Sequence, residues 1–324
     1  MESRTLYLPA AGIRRRPSRT GSRTAAGRRR RSRGMLVPWL YLAPALILLC
    51  IWVYYPLLRT AYLSFFNWNM LPATQPQFCG LDNFVKLFKT PGFAEAVRNT
   101  AVMMIGILPF SIVIPTAVAI FARNASKRAS GVYRGLIFVP MMMAPVAVAA
   151  IFRWILHPAG GLLNQILQAL GAGESIRFLN DPQWALPCII FITGWKMTGF
   201  FTLLFYAAVQ QLGDEYYQAA ALDGASFWQQ TVRITLPLLS PTLVFNTMLS
   251  LLFASSWSFT YIDTLTKGGP LNATINAYYF MWDKGFRTSS SGLTSSSAVV
   301  FFLAFGAIAL LLSHLGQKLS YYDN

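Results

Sequence analysis

Residues 98–123 read RNTAVMMIGILPFSIVIPTAVAIFAR, twenty-four uncharged and mostly apolar residues held between two arginines. About 20 consecutive apolar residues cross the hydrocarbon core of a bilayer as a helix. In lipid, backbone N–H and C=O groups must be satisfied within the protein, which leaves helices or closed barrels. Barrel strands run about 10 residues and alternate apolar with polar. This run does neither, so it is predicted to be a membrane-spanning helix over Asn99–Ala122.

Five further runs are mostly apolar, with Arg153 and Lys196 as their only charges. They are expected at Met35–Leu58, Gly135–Leu156, Trp184–Val209, Pro241–Ile262 and Ser297–Ser313. The composition agrees: 55% of the 324 residues are hydrophobic and 12% are charged, against about 25% charged in soluble domains. The expected fold class is an all-α membrane protein with six transmembrane helices.

The net charge of +16 is unevenly spread. Residues 1–34 hold eleven Arg and one Glu, giving +10 and leaving +6 for the rest. This segment has too little apolar content to bury a core and is expected to be a disordered tail. Its RRR at 14–16 and RRRR at 28–31 could suggest nucleic acid. A span follows at once, so they are read as a topology signal in contact with the lipid bilayer, and no nucleic-acid partner is expected. Arg123, Lys127, Arg128 and Arg134, between spans two and three, fall on the tail's side of the membrane. The positive-inside rule makes that side cytoplasmic. Six spans return residues 314–324 to it. The chain is thus expected to be multi-pass in the cell inner (plasma) membrane, with both termini cytoplasmic. Segments 59–98, 157–183 and 263–296 would face outward as short surface structures.

The cysteines and the two histidines show no metal-ligand spacing, so no metal site is expected. A membrane-embedded enzyme would need paired acids, or a nucleophile with its base. The span interiors hold no Asp or Glu, and no catalytic residue is expected.

Residues 214–241 read DEYYQAAALDGASFWQQTVRITLPLLSP. Glu215–Leu222 is Ala-rich and predicts two helical turns. Asp223-Gly224 predicts a turn, since Gly tolerates positive φ. Ser226 followed by Gln229 has the form of a capping box that starts a second helix. Pro237 and Pro241 are expected to interrupt that helix before span five. Ala219, Ala220 and Ala221 give the first helix a small-sided face that suits a groove on a partner.

This arrangement resembles the EAA loop of ABC importer permeases: Glu-Ala-Ala, three residues, Gly, nine residues, Ile, one residue, Leu-Pro. Gln218, Ala219, Ala220, Gly224, Ile234, Leu236 and Pro237 keep every spacing. Gln218 stands where the family has Glu, and Glu215 lies three residues earlier. Asp223, Ala225 and Ser226 complete the turn expected to meet an ATPase. Gly80-Leu81-Asp82-Asn83-Phe84, Asn99-Thr100, Trp195-Lys196, Ile234–Leu239 and Gly268-Gly269-Pro270 look like the sugar-permease branch. The likeness covers about residues 36–316. The order of features is similar to the first of the two permeases in maltose-type and glycerol-phosphate-type importers.

The resemblance implies a type I ABC importer permease fold. It implies a first helix and external segment over 35–98, a core over 99–313, and a coupling loop over 214–237. It implies a second homologous permease, two ATPase subunits and an external solute-binding protein as partners. The solute would be of carbohydrate class: a sugar, a polyol or glycerol phosphate. The sequence has no G-x-x-x-x-G-K-[ST] phosphate loop. ATP and Mg are therefore expected on the partner ATPase, and no cofactor on this chain.

Polar groups inside spans often line a pathway. Lys196, Asn246, Ser250, Trp257 and Tyr261 are the candidate solute contacts. Asn246, Ser250 and Trp257 follow roughly helical spacing and are expected to share a face. Lys196 could instead snorkel or pair at an interface. A passive channel or secondary carrier is the competing class, but it needs no cytoplasmic helix–turn–helix of fixed spacing.

Overall fold

The computed structural model describes residues 26–71, 74–124, 127–171 and 173–319. The chain divides into two units, Met1–Leu58 and Arg59–Asn324. In the first unit, helix Ala26–Leu49 runs into a π-helical turn over Cys50–Tyr54. The apolar stretch Pro38–Leu63 is long enough to cross a membrane, and none of its most apolar window is buried. The disorder expected over residues 1–34 does not hold for 26–34, which are helical. Arginine is a good helix former, and these residues extend a helix whose apolar part already supplies the nucleus. The rest of that expectation, over 1–25, lies outside the described residues.

The second unit holds four more helices of spanning length among the described residues. They are Phe93–Arg123, Pro182–Gln210, Ser240–Thr266 and Ser291–Gln317. A sixth span exists only as a broken pair, Gly135–Met142 and Pro145–Ile155, bent by 100°. The span expected over Gly135–Leu156 is present in place but broken. Pro145 opens the second half, and Ala144 before it is extended, at φ −60° and ψ 133°. A residue preceding proline is driven out of the α region in this way.

The fourth span is the hub. Two thirds of its most apolar window is buried, far more than in any other of these spans. It starts cleanly: Asp181 caps it by accepting from the Gln183 N–H at 2.8 Å, and Pro182 follows at the first helical position. Its glycines let neighbours approach. A Cβ at Gly194 would meet the Phe110 ring at 2.6 Å, and one at Gly199 would meet the Ile137 carbonyl oxygen at 2.6 Å. Small residues serve helix packing in membranes in this way. The second span bulges into a π-helical turn at Pro109–Val113, where Pro109 has no N–H to give. Pro115, five residues after Phe110, likewise has no N–H, and the Phe110 carbonyl accepts from the Thr198 hydroxyl at 2.9 Å.

The sixth span begins at Ser291, six residues before its expected start. The serines at 291 and 295–297 are buried rather than solvated, and those at 296 and 297 bond carbonyls one turn back at 2.8 and 2.7 Å. Outside the spans, Phe66–Asn67 and Gln77–Phe78 form a two-stranded antiparallel ribbon, with Phe66 opposite Phe78.

Segment 263–296 is not the surface structure it was expected to be. Thr274, Asn276, Ala277, Tyr279 and Phe280 are buried. The Asn99 amide donates to the carbonyls of Asn272 and Ile275, both at 2.9 Å. The Thr100 hydroxyl accepts from the Ala277 N–H at 2.9 Å. The Asn276 amide donates to the Ser255 carbonyl and the Ser258 hydroxyl. The Asn99-Thr100 pair therefore pins this segment to the second span. Asn83 plays the matching part for Gly80–Phe84, donating to the carbonyls of Ser64 and Phe66. Replacing Asn99 by Ala strands the Ile275 carbonyl, which is buried, at about 1–3 kcal/mol for an unsatisfied buried group, and releases the part-buried Asn272 carbonyl as well. The variant is expected to unfold several degrees earlier in detergent, measured by intrinsic fluorescence, with Thr264–Ala277 the first segment to exchange amide hydrogens.

Candidate coupling loop and transport cavity

The loop forms helix Asp214–Leu222, a turn, and helix Phe227–Gln230. Asp214 and Glu215 sit in the first turn, where negative charge suits the helix dipole. At the other end Gly224 adopts φ +73°. The Gly224 N–H donates to Ala221 O at 3.1 Å, and the Ala225 N–H donates to Ala220 O at 2.9 Å. This pair of bonds is a Schellman closure, which favours glycine because the left-handed position crowds a Cβ. Ser226 then caps the second helix. Its hydroxyl accepts from the Gln229 N–H at 3.4 Å, while the Gln229 side chain accepts from the Ser226 N–H at 2.8 Å. Both devices were legible from Gly224, Ser226 and Gln229.

Pro237 and Pro241 do not interrupt the helical path into span five. A π-helical turn over Thr231–Thr235 carries the chain into Leu236–Leu238 and then Ser240–Tyr261. Each proline falls within the first two positions of a helical segment, where its missing N–H is not needed. Ile234, Leu236 and Pro237 are half-buried. They root the loop in the bundle rather than present a surface.

Glu215, Gln218, Ala219, Asp223, Gly224 and Ser226 are exposed, and Ala220 and Ala225 are half-buried. Leu222 stands at the tip, 91% exposed. The loop is stiff because it is tied down at its base. Arg123, ending the second span, bonds Asp214 Oδ1 through Nη2 at 2.6 Å. Its guanidinium lies 3.7 Å from the centroid of the Tyr217 ring. The Tyr217 hydroxyl meets the Thr235 hydroxyl at 2.9 Å. Sequence reading used Arg123 as a topology charge and passed over Tyr217. The available signal was a tyrosine and an acid in a loop facing the basic end of a span.

The five pathway candidates divide. Lys196, Trp257 and Tyr261 line one cavity of about 250 Å³ with Thr193, Pro145 and Thr260. It opens at the break in the third span. Lys196 is 7% exposed, and its ammonium donates to the carbonyl of Met143 at 2.5 Å, between the two half-helices. Trp257 stacks on Phe253, with ring centroids 5.5 Å apart and planes 11° apart. The hydroxyls of Thr193 and Tyr261 are buried without a hydrogen-bond partner among the described residues.

Asn246 and Ser250 do not line this cavity. Both are fully buried, and Ser250 pairs with Ser111 of the second span at 2.6 Å. The spacing of 246, 250 and 257 permitted one face. Trp257, two turns beyond Ser250 on the same continuous helix, instead meets Phe200 of the fourth span, ring centroids 5.7 Å apart.

Helices long and apolar enough to cross a membrane, a partly polar cavity among them and a helix–turn–helix loop tied to their end mark a multispan permease. The chain belongs to the family of binding-protein-dependent transport system inner membrane components, whose pattern matches residues 111–320. It is 31% identical over 275 residues to the lactose transport system permease protein LacF of Rhizobium radiobacter, covering 82% of this chain and 90% of LacF. It is 31% identical over 286 residues to the sn-glycerol-3-phosphate transport system permease protein UgpA of Escherichia coli O6:K15:H31, covering 86% of this chain and 92% of UgpA. A crystal structure of a bacterial ABC transporter involved in import of the acidic polysaccharide alginate contains a chain of the same fold. The TM-score is 0.77 at 24% identity, over 90% of this chain and all of that one. The type I permease fold expected from the sequence is the one observed. The chain is a multi-pass membrane transport component and not an enzyme.

Proposed function

We propose that this chain forms half of the translocation pathway of an ATP-driven importer for a carbohydrate-class solute, and that residues 214–237 couple it to a separate ATPase. The second half is a homologous permease. Two ATPase subunits carry ATP and Mg, and an external solute-binding protein delivers the solute. The loop side of the membrane, with both termini, is cytoplasmic.

The observation that carries this reading is the loop itself. A Schellman closure at Gly224 and a capping box at Ser226 fix two short helices at a set angle. Arg123 and Tyr217 fix their base. The first helix exposes Ala219, Ala221 and polar residues, with Leu222 at its tip, so its small-sided face can enter a groove where larger side chains clash. Push on such an element is transmitted to spans two and five, not absorbed in the loop. Lactose and sn-glycerol 3-phosphate, named for two relatives, support a polyhydroxylated solute. The cavity suits one: Trp257 offers a ring face, and Thr193, Thr260 and Tyr261 offer hydroxyls.

The coupling assignment is tested with Gln218→Cys, an exposed position. In membranes holding the assembled transporter, a short bifunctional thiol reagent is expected to join this chain to the ATPase subunit. ATP should change the yield. Cross-links to no ATPase, in a transporter that still imports, would remove the loop from the docking role.

A further inference from the structure

Beside the loop's second helix lies an apolar groove of about 330 Å³, open along one side. Val113, Ala117 and Phe121 form one wall, and Phe227, Trp228 and Leu236 form part of the other. Residues 113, 117 and 121 are successive turns of the second span, so this wall is a stripe along the helix axis. It is about 12 Å long, from eight residues at 1.5 Å each. The stripe leads to Arg123, at the very end of that span. Ile120, Phe227 and Thr231 wall both this groove and the small cavity that Arg123 lines.

Arg123 has more donors than its described partners use. Nη2 serves Asp214 and, at 3.5 Å, the Leu212 carbonyl, while Nη1 is buried with no hydrogen-bond partner among the described residues. A buried guanidinium N–H left unmade is costly, so it marks a place where an acceptor belongs. Trp228, 68% exposed, stands on the rim, and tryptophan collects at the level of lipid headgroups.

An apolar slot along the second span, next to a small cavity lined by a cation with a spare donor, has the two-part chemistry of one ligand. We propose that this groove is a specific site for an anionic phospholipid of the bilayer. One acyl chain lies along Val113, Ala117 and Phe121, and the phosphodiester accepts from Arg123. An apolar stripe beside a spare cationic donor matches an amphiphile with an anionic head better than a wholly apolar protein segment. The lipid would bridge the second span and the coupling loop, because Phe227 and Trp228 belong to the loop.

The test uses the assembled transporter in nanodiscs of equal phosphatidylglycerol and phosphatidylethanolamine. Lipid retained after transfer to detergent is counted by native mass spectrometry. One phosphatidylglycerol per copy of this chain is expected. Ala117→Phe, at an exposed position whose new ring fills the groove, should abolish retention. Arg123→Gln should lower the preference for phosphatidylglycerol about fivefold, the factor that corresponds to roughly 1 kcal/mol per cation. Asp214→Asn breaks the same ion pair but spares the guanidinium, and should keep or raise the preference. If Arg123 acted only by holding Asp214, the two variants would match, and the proposal would fall. Equal retention of both lipids would also overturn it. So would unchanged retention in Ala117→Phe, or cross-links from Trp228→Cys to the second permease.

Discussion

Gly224→Val is expected to abolish solute uptake while leaving ATP hydrolysis running and the protein in the membrane. The reason is conformational and not steric. A Cβ at Gly224 would meet nothing within 4 Å, so no neighbour is displaced. The residue instead sits at φ +73°, where an L side chain crowds the following carbonyl at about 1–2 kcal/mol. A β-branched residue is the worst occupant of such a position. Every 1.4 kcal/mol shifts an equilibrium about tenfold, so the closed turn becomes a minor state. The bonds from Gly224 to Ala221 and from Ala225 to Ala220 are lost with it. The helices on either side then no longer keep their angle. The ATPase can still turn over, but its movement is dissipated in the loop and does not reach spans two and five. Gly224→Asn, which tolerates the left-handed region, should retain much of the uptake. Gly224→Ala should fall between them. Reconstituted vesicles read both quantities at once, as labelled solute taken up and phosphate released. Undiminished uptake in Gly224→Val would remove coupling from this turn.

The loop could be read in the sequence because its determinants are local. Gly224, Ser226 and Gln229 act on backbone atoms within a few residues of themselves. The spans were legible for a similar reason, since solvent quality is set by runs of composition. What escaped depends on contacts across the chain. The break at Met143–Ala144 sits inside an unbroken apolar run. Prolines such as Pro140 and Pro145 are tolerated in membrane helices, so they do not announce a 100° bend. Segment 263–296 looked superficial because it is polar. It is buried because Asn99 and Thr100, on a distant span, donate to and accept from its backbone. The rotation of span five about its axis was likewise unreadable. Periodicity groups Asn246 with Ser250, but only Ser111 shows which way they point.

Lys196→Met is expected to cut the maximal transport rate about tenfold or more for every solute, with little change in the solute concentration giving half that rate. Two readings of Lys196 compete, and the geometry separates them. The side chain lines the cavity, yet its ammonium is already committed to the Met143 carbonyl. That carbonyl lies in the gap between two half-helices, where no helical N–H faces it. At membrane depth an unsatisfied backbone group costs several kcal/mol. Lys196 therefore stabilises the bend, joining the hub span to the broken one. Methionine keeps the unbranched stem and removes the donor, so the bend loses its partner without a gross change in packing. The two halves should then favour a straighter, bonded arrangement that closes the cavity beside Trp257 and Tyr261. A positioning role of this kind lowers the rate and also raises hydrogen exchange at Met143–Val146. A solute-contact role would instead raise the half-saturating concentration, and would do so most for an anionic solute. The companion variant Trp257→Leu should show that second pattern, weakening apparent affinity for ring-shaped solutes while leaving exchange at the break unchanged. If Lys196→Met shifted affinity alone, with exchange as in the parent protein, the ammonium would belong to the solute and the break would need another explanation.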